Sequence, residues 1–122
     1  MLRGVRGATT VSADDREQII LATTELLTKM VEVNQIGTED IASVLLTMTD
    51  DLHSVFPAAA ARAMGWTEVP LTCARELEVD GALGHCIRVL LHWNTNRTQA
   101  QIRHVYLRDA VTLRPDLAGG RE

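Results

Sequence analysis

Small, apolar and cationic residues alternate over residues 2–11, so that Leu2, Gly4, Arg6 and Ala8 fall on one side of a strand and Arg3, Val5 and Gly7 on the other. The period then changes. Ser12, with Asp15 three residues on, reads as a capping box opening a helix over residues 12–34. In it Ile19, Leu26, Met30 and Val33 recur at helical spacing until Asn34 and Gly37 stop the run. Alternation returns over residues 43–49, where Val44, Leu46 and Met48 oppose Ser43, Leu45, Thr47 and Thr49. The loop "TDDLHS" leads into "FPAAAARAMG", where a proline suited to the first turn, a run of alanines and a closing Gly65 predict a short helix with Arg62 near its end. Residues 69–76 read as a strand and "VDGALG" as a loop. Residues 85–93 carry the strongest strand pattern in the chain, with Ile87, Val89, Leu91 and Trp93 forming one unbroken apolar face. Beyond Asn94 the pattern weakens, and "RPDL" at residues 114–117 reads as a turn.

The order β, long α, β, short α, β, β is that of a small α+β domain: a mixed or antiparallel sheet of four strands with one long and one short helix on one face. At 122 residues the chain is one folding unit, residues 1–117, with residues 118–122 as a flexible tail. Only four aromatic residues, Phe56, Trp66, Trp93 and Tyr106, leave an aliphatic core. A single sheet covered on one side leaves the other wanting cover, which predicts association into a closed homo-oligomer.

Charge and cysteine content narrow the partners. A net charge of −4 argues against a general nucleic-acid binder. No window is long and apolar enough to span a bilayer, and the first residues lack a signal-peptide layout, so a cytoplasmic protein is expected. Cys73 and Cys86 lack CxxC spacing and are expected as reduced thiols. The four histidines, His53, His85, His92 and His104, make no metal-ligand spacing, and the glycines form no Gly-rich motif, so neither a metal site nor a nucleotide-phosphate cradle is expected. "NRT" at residues 96–98 matches a glycosylation acceptor but carries little meaning without a secretory signal.

Arg88 sits in mid-strand between apolar residues, on the face of Cys86, Leu90 and His92. A guanidinium keeps its charge, so one held there needs either a structural ion pair, with Glu76 or Glu78, or an anionic ligand. Arg6 raises the same alternative, and Gly4 and Ala8 beside it would leave room for a small anion lying on the sheet. Glu76, at the end of "LTCARE", suits either the orientation of a hydroxyl or plain neutralisation of charge. Tyr106 reads by itself as a surface or interface residue. Cys73 has no histidine at a telling distance, so covalent catalysis is not expected.

Five segments, "RGVRGATT", "DLHSVFPAAAAR", "VPLTCARE", "CIRV" and "IRHVYLRDAVTLRPDL", follow one another as in the monofunctional, trimeric bacterial chorismate mutases of the α/β-barrel type. The chain resembles that family from Arg3 to Leu117. The resemblance implies an isomerase of aromatic amino acid biosynthesis that converts chorismate to prephenate by a concerted pericyclic shift, without cofactor or covalent intermediate. It implies a homotrimer, a pseudo-α/β-barrel with active sites at subunit interfaces. By the same resemblance Arg88 stands beside the ether oxygen whose C–O bond breaks, Arg6 binds a substrate carboxylate, and Glu76 contacts the ring hydroxyl. Thr72, Cys73, Ala74 and Arg75 line the pocket with Tyr106. Phe56, Arg62, Leu113 and Arg114 contribute from a neighbouring subunit or from the C-terminal segment. Arg3 points the other way and is structural. The chain departs from some relatives at Ala59, where they carry a lysine.

Cys73 and Glu76 are three residues apart and face opposite sides of a regular strand, so both reach one pocket only if the strand bends or ends between them. Two other readings stand beside this one: a non-catalytic trimeric binder of small carboxylates that uses the same arginines, and, by fold analogy alone, a reactive-imine deaminase, whose site pattern is not evident here.

Overall fold

A computed structural model describes residues 1–113. Five strands form one mixed sheet: β1 (Leu2–Thr10), β2 (Ile41–Met48), β3 (Leu71–Arg75), β4 (Cys86–Asn94) and β5 (Val105–Tyr106), in the order β3-β2-β4-β1-β5. The long strand β4 lies at the centre, antiparallel to both β1 and β2, while β3 and β5 add parallel edges. The fifth strand corrects the expected four. It escapes a periodicity reading because two residues are too short to alternate visibly.

Helix α1 (Arg16–Asn34) and helix α2 (Ala58–Ala63) cover one face of this sheet. Their apolar stripes meet the inward residues of the strands in one core: Leu26, Leu27 and Met30 from α1, Ala58 and Ala61 from α2, Val5, Val44, Leu46, Val89, Leu91 and Trp93 from the sheet. Every second residue of β4 from Ile87 to Trp93 is buried, Val89, Leu91 and Trp93 in this core and Ile87 in a smaller cluster with Val11, Ile19, Ala22 and Leu52. Gly7 lies under α1, where a Cβ would run into Met30 Sδ and sit 3.1 Å from Leu26 Cδ1, so glycine sets how closely helix and strand approach.

The start of α1 differs from expectation. Asp15, not Ser12, is the N-cap, its carboxylate accepting the Gln18 N–H at 3.0 Å. Ser12 instead donates from its amide and hydroxyl to Gln18 Oε1, at 3.2 and 2.8 Å. Three acceptor-bearing residues in succession, Ser12, Asp14 and Asp15, compete for this helix start, and periodicity alone does not choose among them. At the other end Gln35 takes the left-handed conformation, with φ 58°, and closes the helix before Gly37 is reached. Strand β3 is shorter than residues 69–76, running Leu71–Arg75, with Glu76 immediately after its end. The expected turn at residues 114–117, the tail at 118–122 and Arg114 lie outside the described residues.

Candidate active site

The sheet face turned away from the helices is where charge collects. Arg6 and Ala8 from β1, Leu45 and Thr47 from β2, Arg88 and Leu90 from β4, and Tyr106 from β5 line a cavity of about 210 Å³ there, with Glu76 at its margin. Strand alternation brings them together: each is the neighbour in sequence of a residue facing the helices or the adjoining backbone.

Arg88 Nε lies 3.1 Å from Glu76 Oε2, and the Thr47 hydroxyl donates to the same oxygen at 2.8 Å. Glu76 is positioned by backbone as well, its N–H donating to Met48 O at 2.9 Å just beyond the last pair of the β2–β3 ladder. The ion pair foreseen as one alternative for Arg88 is therefore present, and it lies inside a cavity that also holds Arg6. Two guanidinium groups and one carboxylate leave the pocket with a net positive charge, suited to an anion. With Nε engaged by Glu76, the donors Arg88 can turn to a ligand are those of its terminal nitrogens. Beneath the pair lies the buried Cys86, whose thiol burial pushes up despite the nearby Arg88 charge.

Cys73 does not share this cavity. It pairs in register with Leu46 and packs toward the helix-side core, whereas Thr72 and Ala74 pair with Leu45 and Thr47. The register with β2 runs regularly to Arg75 and the Glu76 N–H still bonds to Met48 O, so strand alternation carries through and the two residues face different hollows. Cys73, Ala74 and Arg75 line a second cavity of about 260 Å³ with Met48, Leu52, Phe56 and Pro57. Phe56 is 69% exposed there, unusual for the chain's one phenylalanine. Its loop is pinned by Asp14, whose carboxylate accepts the His53 and Ser54 N–H groups at 2.9 and 3.0 Å; the His53 bond leads the effects that hold that carboxyl below its usual range. Arg62 is exposed on α2, and Leu113 ends the short 3₁₀ helix Arg108–Leu113, half-buried; neither lines the two cavities. Arg3 donates from Nε to Arg97 O at 3.0 Å, a structural contact.

Thr47 was not singled out as a site residue by its sequence, although the alternation over residues 43–49 placed it opposite the buried Val44 and Leu46. A hydroxyl midway along an outward face was the available signal. A more voluminous groove, about 560 Å³, runs between the outer side of α1 and Leu107–Arg108; its cations Lys29 and Arg108 stand with the carboxylates Glu25 and Glu32, and Arg108 is engaged by Glu25 at 3.4 Å. Among the described residues no group of three His, Cys, Asp or Glu side chains is placed to hold a metal ion, and no helix is long and apolar enough to cross a membrane.

Comparison with known proteins matches this geometry to a family. The family model described as chorismate mutase type I aligns with residues 2–117. The chorismate mutase AroH of Thermus thermophilus is 56% identical over 118 residues, 96% of this chain and 97% of the relative. That of Bacillus subtilis (strain 168) is 51% identical over 119 residues, 97% of this chain and 94% of the relative. A solved chorismate mutase from Clostridium thermocellum superposes with a TM-score of 0.89 at 45% identity, covering 90% of this chain and 98% of that one. A family match that runs almost end to end, with half the residues shared along the full length of two relatives, leaves one conclusion: this chain belongs to the chorismate mutase type I family.

Proposed function

We propose that this chorismate mutase accelerates the pericyclic conversion of chorismate to prephenate by electrostatic complementarity between the outward face of its sheet and a dianionic substrate. The enzyme is an isomerase. One C–O bond breaks as one C–C bond forms, no proton is gained or lost, and no enzyme nucleophile is called for. What a protein can supply is conformation and charge: holding a flexible substrate with its reacting ends together, and meeting the negative charge that builds on the ether oxygen.

The single observation that carries this assignment is the Arg88–Glu76 pair, at 3.1 Å, inside a cavity shared with Arg6. Arg88 serves as the fixed donor at the ether oxygen. Glu76, held in turn by Thr47, orients Arg88 and stands where the ring hydroxyl and the developing positive charge belong. Arg6 receives a carboxylate, and Tyr106 closes the same wall.

The active enzyme is proposed as a homotrimer with sites between subunits. Cavities of about 210 and 260 Å³ are each below the roughly 300 to 1,000 Å³ usual for small-molecule sites. One holds Arg6, Arg88 and Glu76; the other holds Phe56, Cys73 and Arg75. Association that sets the second against the first on a neighbouring copy would complete a pocket and cover the bare sheet face. Arg62, Thr72, Leu113 and Arg114 would border it. Two unpaired thiols, Cys73 and Cys86, suit a reducing cytoplasm.

The test is subunit complementation, read by the loss of chorismate absorbance. Arg88→Ala and Arg75→Ala homo-oligomers are each expected to be impaired; after mixing and subunit exchange, activity returns in part because some interfaces join two intact halves. Failure of exchanged mixtures to regain activity, or a fully active monomer by light scattering, refutes the shared site.

A further inference from the structure

Tyr106 reaches the cavity from β5, a two-residue strand at the sheet edge, which is a weak platform for a side chain that must be held in place. Its parallel pairing with β1 begins only at Gly7 and Val105, and one further bond runs from the Leu107 N–H to Ala8 O at 2.9 Å. What secures the approach to β5 lies one and two residues earlier. Asn34, fully buried at the last position of α1, donates from Nδ2 to Arg103 O at 2.9 Å and accepts the Arg103 N–H on Oδ1 at 2.8 Å. The other Nδ2 hydrogen goes to Met30 O at 2.9 Å. Both donors and the acceptor of this amide are used, so residue 103 is clamped to the helix as if to a neighbouring strand.

His104 follows directly on that clamp, and its Nδ1 accepts the Arg6 N–H at 3.0 Å. Here the ladder between β1 and β5 is extended by a side chain where the backbone pairing has not yet begun. The imidazole thus joins the residue whose guanidinium lines one wall of the cavity to the segment that delivers Tyr106 two positions later. The bond requires an unprotonated Nδ1 at a fixed height, which the pinned Arg103 provides.

We propose that His104 is a positioning residue: through Nδ1 it sets the placement of Arg6 relative to Tyr106 in the substrate cavity. The inference rests on the assignment of Arg6 to carboxylate binding. Removing the acceptor leaves a part-buried N–H without its partner and releases the edge strand, so the loss appears in substrate binding rather than in the chemical step.

Steady-state kinetics with chorismate on His104→Leu, His104→Asn, Arg6→Ala and the His104→Leu/Arg6→Ala double variant test it, with circular dichroism confirming native folding. Asparagine places Oδ1 where Nδ1 sits, so His104→Asn keeps KM within about threefold of the parent, while His104→Leu raises it roughly tenfold with a smaller fall in kcat. In the Arg6→Ala background the leucine substitution adds less than about twofold, because the group it positions is gone. The tether is overturned if Arg6→Ala raises KM but His104→Leu does not, if asparagine and leucine are equally damaging, or if the two effects multiply in full. An unchanged KM for Arg6→Ala itself defeats the carboxylate assignment, and the role of His104 with it.

Discussion

The two faces of one sheet, built from alternate residues of the same strands, have opposite chemistry. Toward the helices, Val5, Val44, Leu46, Val89 and Leu91 are almost wholly buried in a continuous aliphatic layer. Away from them, one residue along in each strand, stand Arg6, Leu45, Thr47, Arg88 and Leu90. The first face is specified by volume and the second by charge and direction. A guanidinium on the outer face is affordable because its neighbours in the chain are anchored in the inner one. The inner packing fixes the backbone from which Arg88 projects, and Glu76 with Thr47 fixes its head. In the proposed function, the preorganisation of Arg88 is an outer-face property with an inner-face cause.

The contrast can be broken most forcefully at Arg88. Replacing it by alanine is expected to cost at least about 3 to 4 kcal/mol of transition-state stabilisation, a fall of ~10² to 10³ in kcat, while the thermal transition stays near that of the parent. Arg88→Lys is expected to recover little, because a point charge cannot hold Glu76 and reach the substrate as a planar fork does. Near-normal turnover by either folded variant removes Arg88 from its assigned role.

Leu46→Ala attacks the other face. It should lower stability by about 3 kcal/mol through lost burial and the cavity left behind, measured by urea unfolding, while the folded enzyme keeps KM within a small factor. A stable protein with strongly altered kinetics would show that the two faces are not separable in this way. Thr47→Val sharpens the comparison, because it removes only the hydroxyl that donates to Glu76 Oε2 at 2.8 Å. The expected loss is about 1 kcal/mol, seen in kcat rather than in unfolding, since it loosens the orientation of the pair without emptying the core. Equal loss in stability and none in kcat would count against an orienting role.

The smallest effect expected lies at the rim, where Asp51 fastens the loop before β4. Burial pushes its carboxyl up, but the Thr49 hydroxyl, the His85 N–H at 2.9 Å and the His85 ring outweigh that and hold it below the usual range. A depressed native pKa stabilises the fold above the unfolded-state value and loses that contribution as pH falls through the native one. The melting difference between the parent and Asp51→Asn should therefore be present near neutrality and shrink below about pH 4. A difference that grows toward acid would reverse the sign and refute the account.

Much of the inner face was legible in advance. The alternation of Ile87, Val89, Leu91 and Trp93, and the helical recurrence of Ile19, Leu26 and Met30, each report burial through a local period, and the core follows that period. The same alternation placed Arg6 and Arg88 on the outward side, and the family resemblance supplied their expected roles. Other features were not legible. Asp15 wins the helix cap over Ser12 through geometry that no period encodes. β5 forms by pairing with β1, and the residues before it, 103 and 104, bond to Asn34 and Arg6 from other parts of the chain. The separation of Cys73 and Glu76 into different cavities, by contrast, follows the alternation of a regular strand, which sets residues three apart on opposite sides.

Local patterning thus established most of the buried residues, the longer elements and which cations stand on a strand's outer side, since each depends on a repeat of two or 3.6 residues along one segment. Only the folded arrangement decided that Arg88 meets Glu76 and Thr47, that Arg6 and Tyr106 line one cavity, and that Phe56 belongs to a different hollow. Those are distances between segments far apart in the chain, governed by strand order, register and a few side-chain tethers whose partners no single stretch of sequence contains.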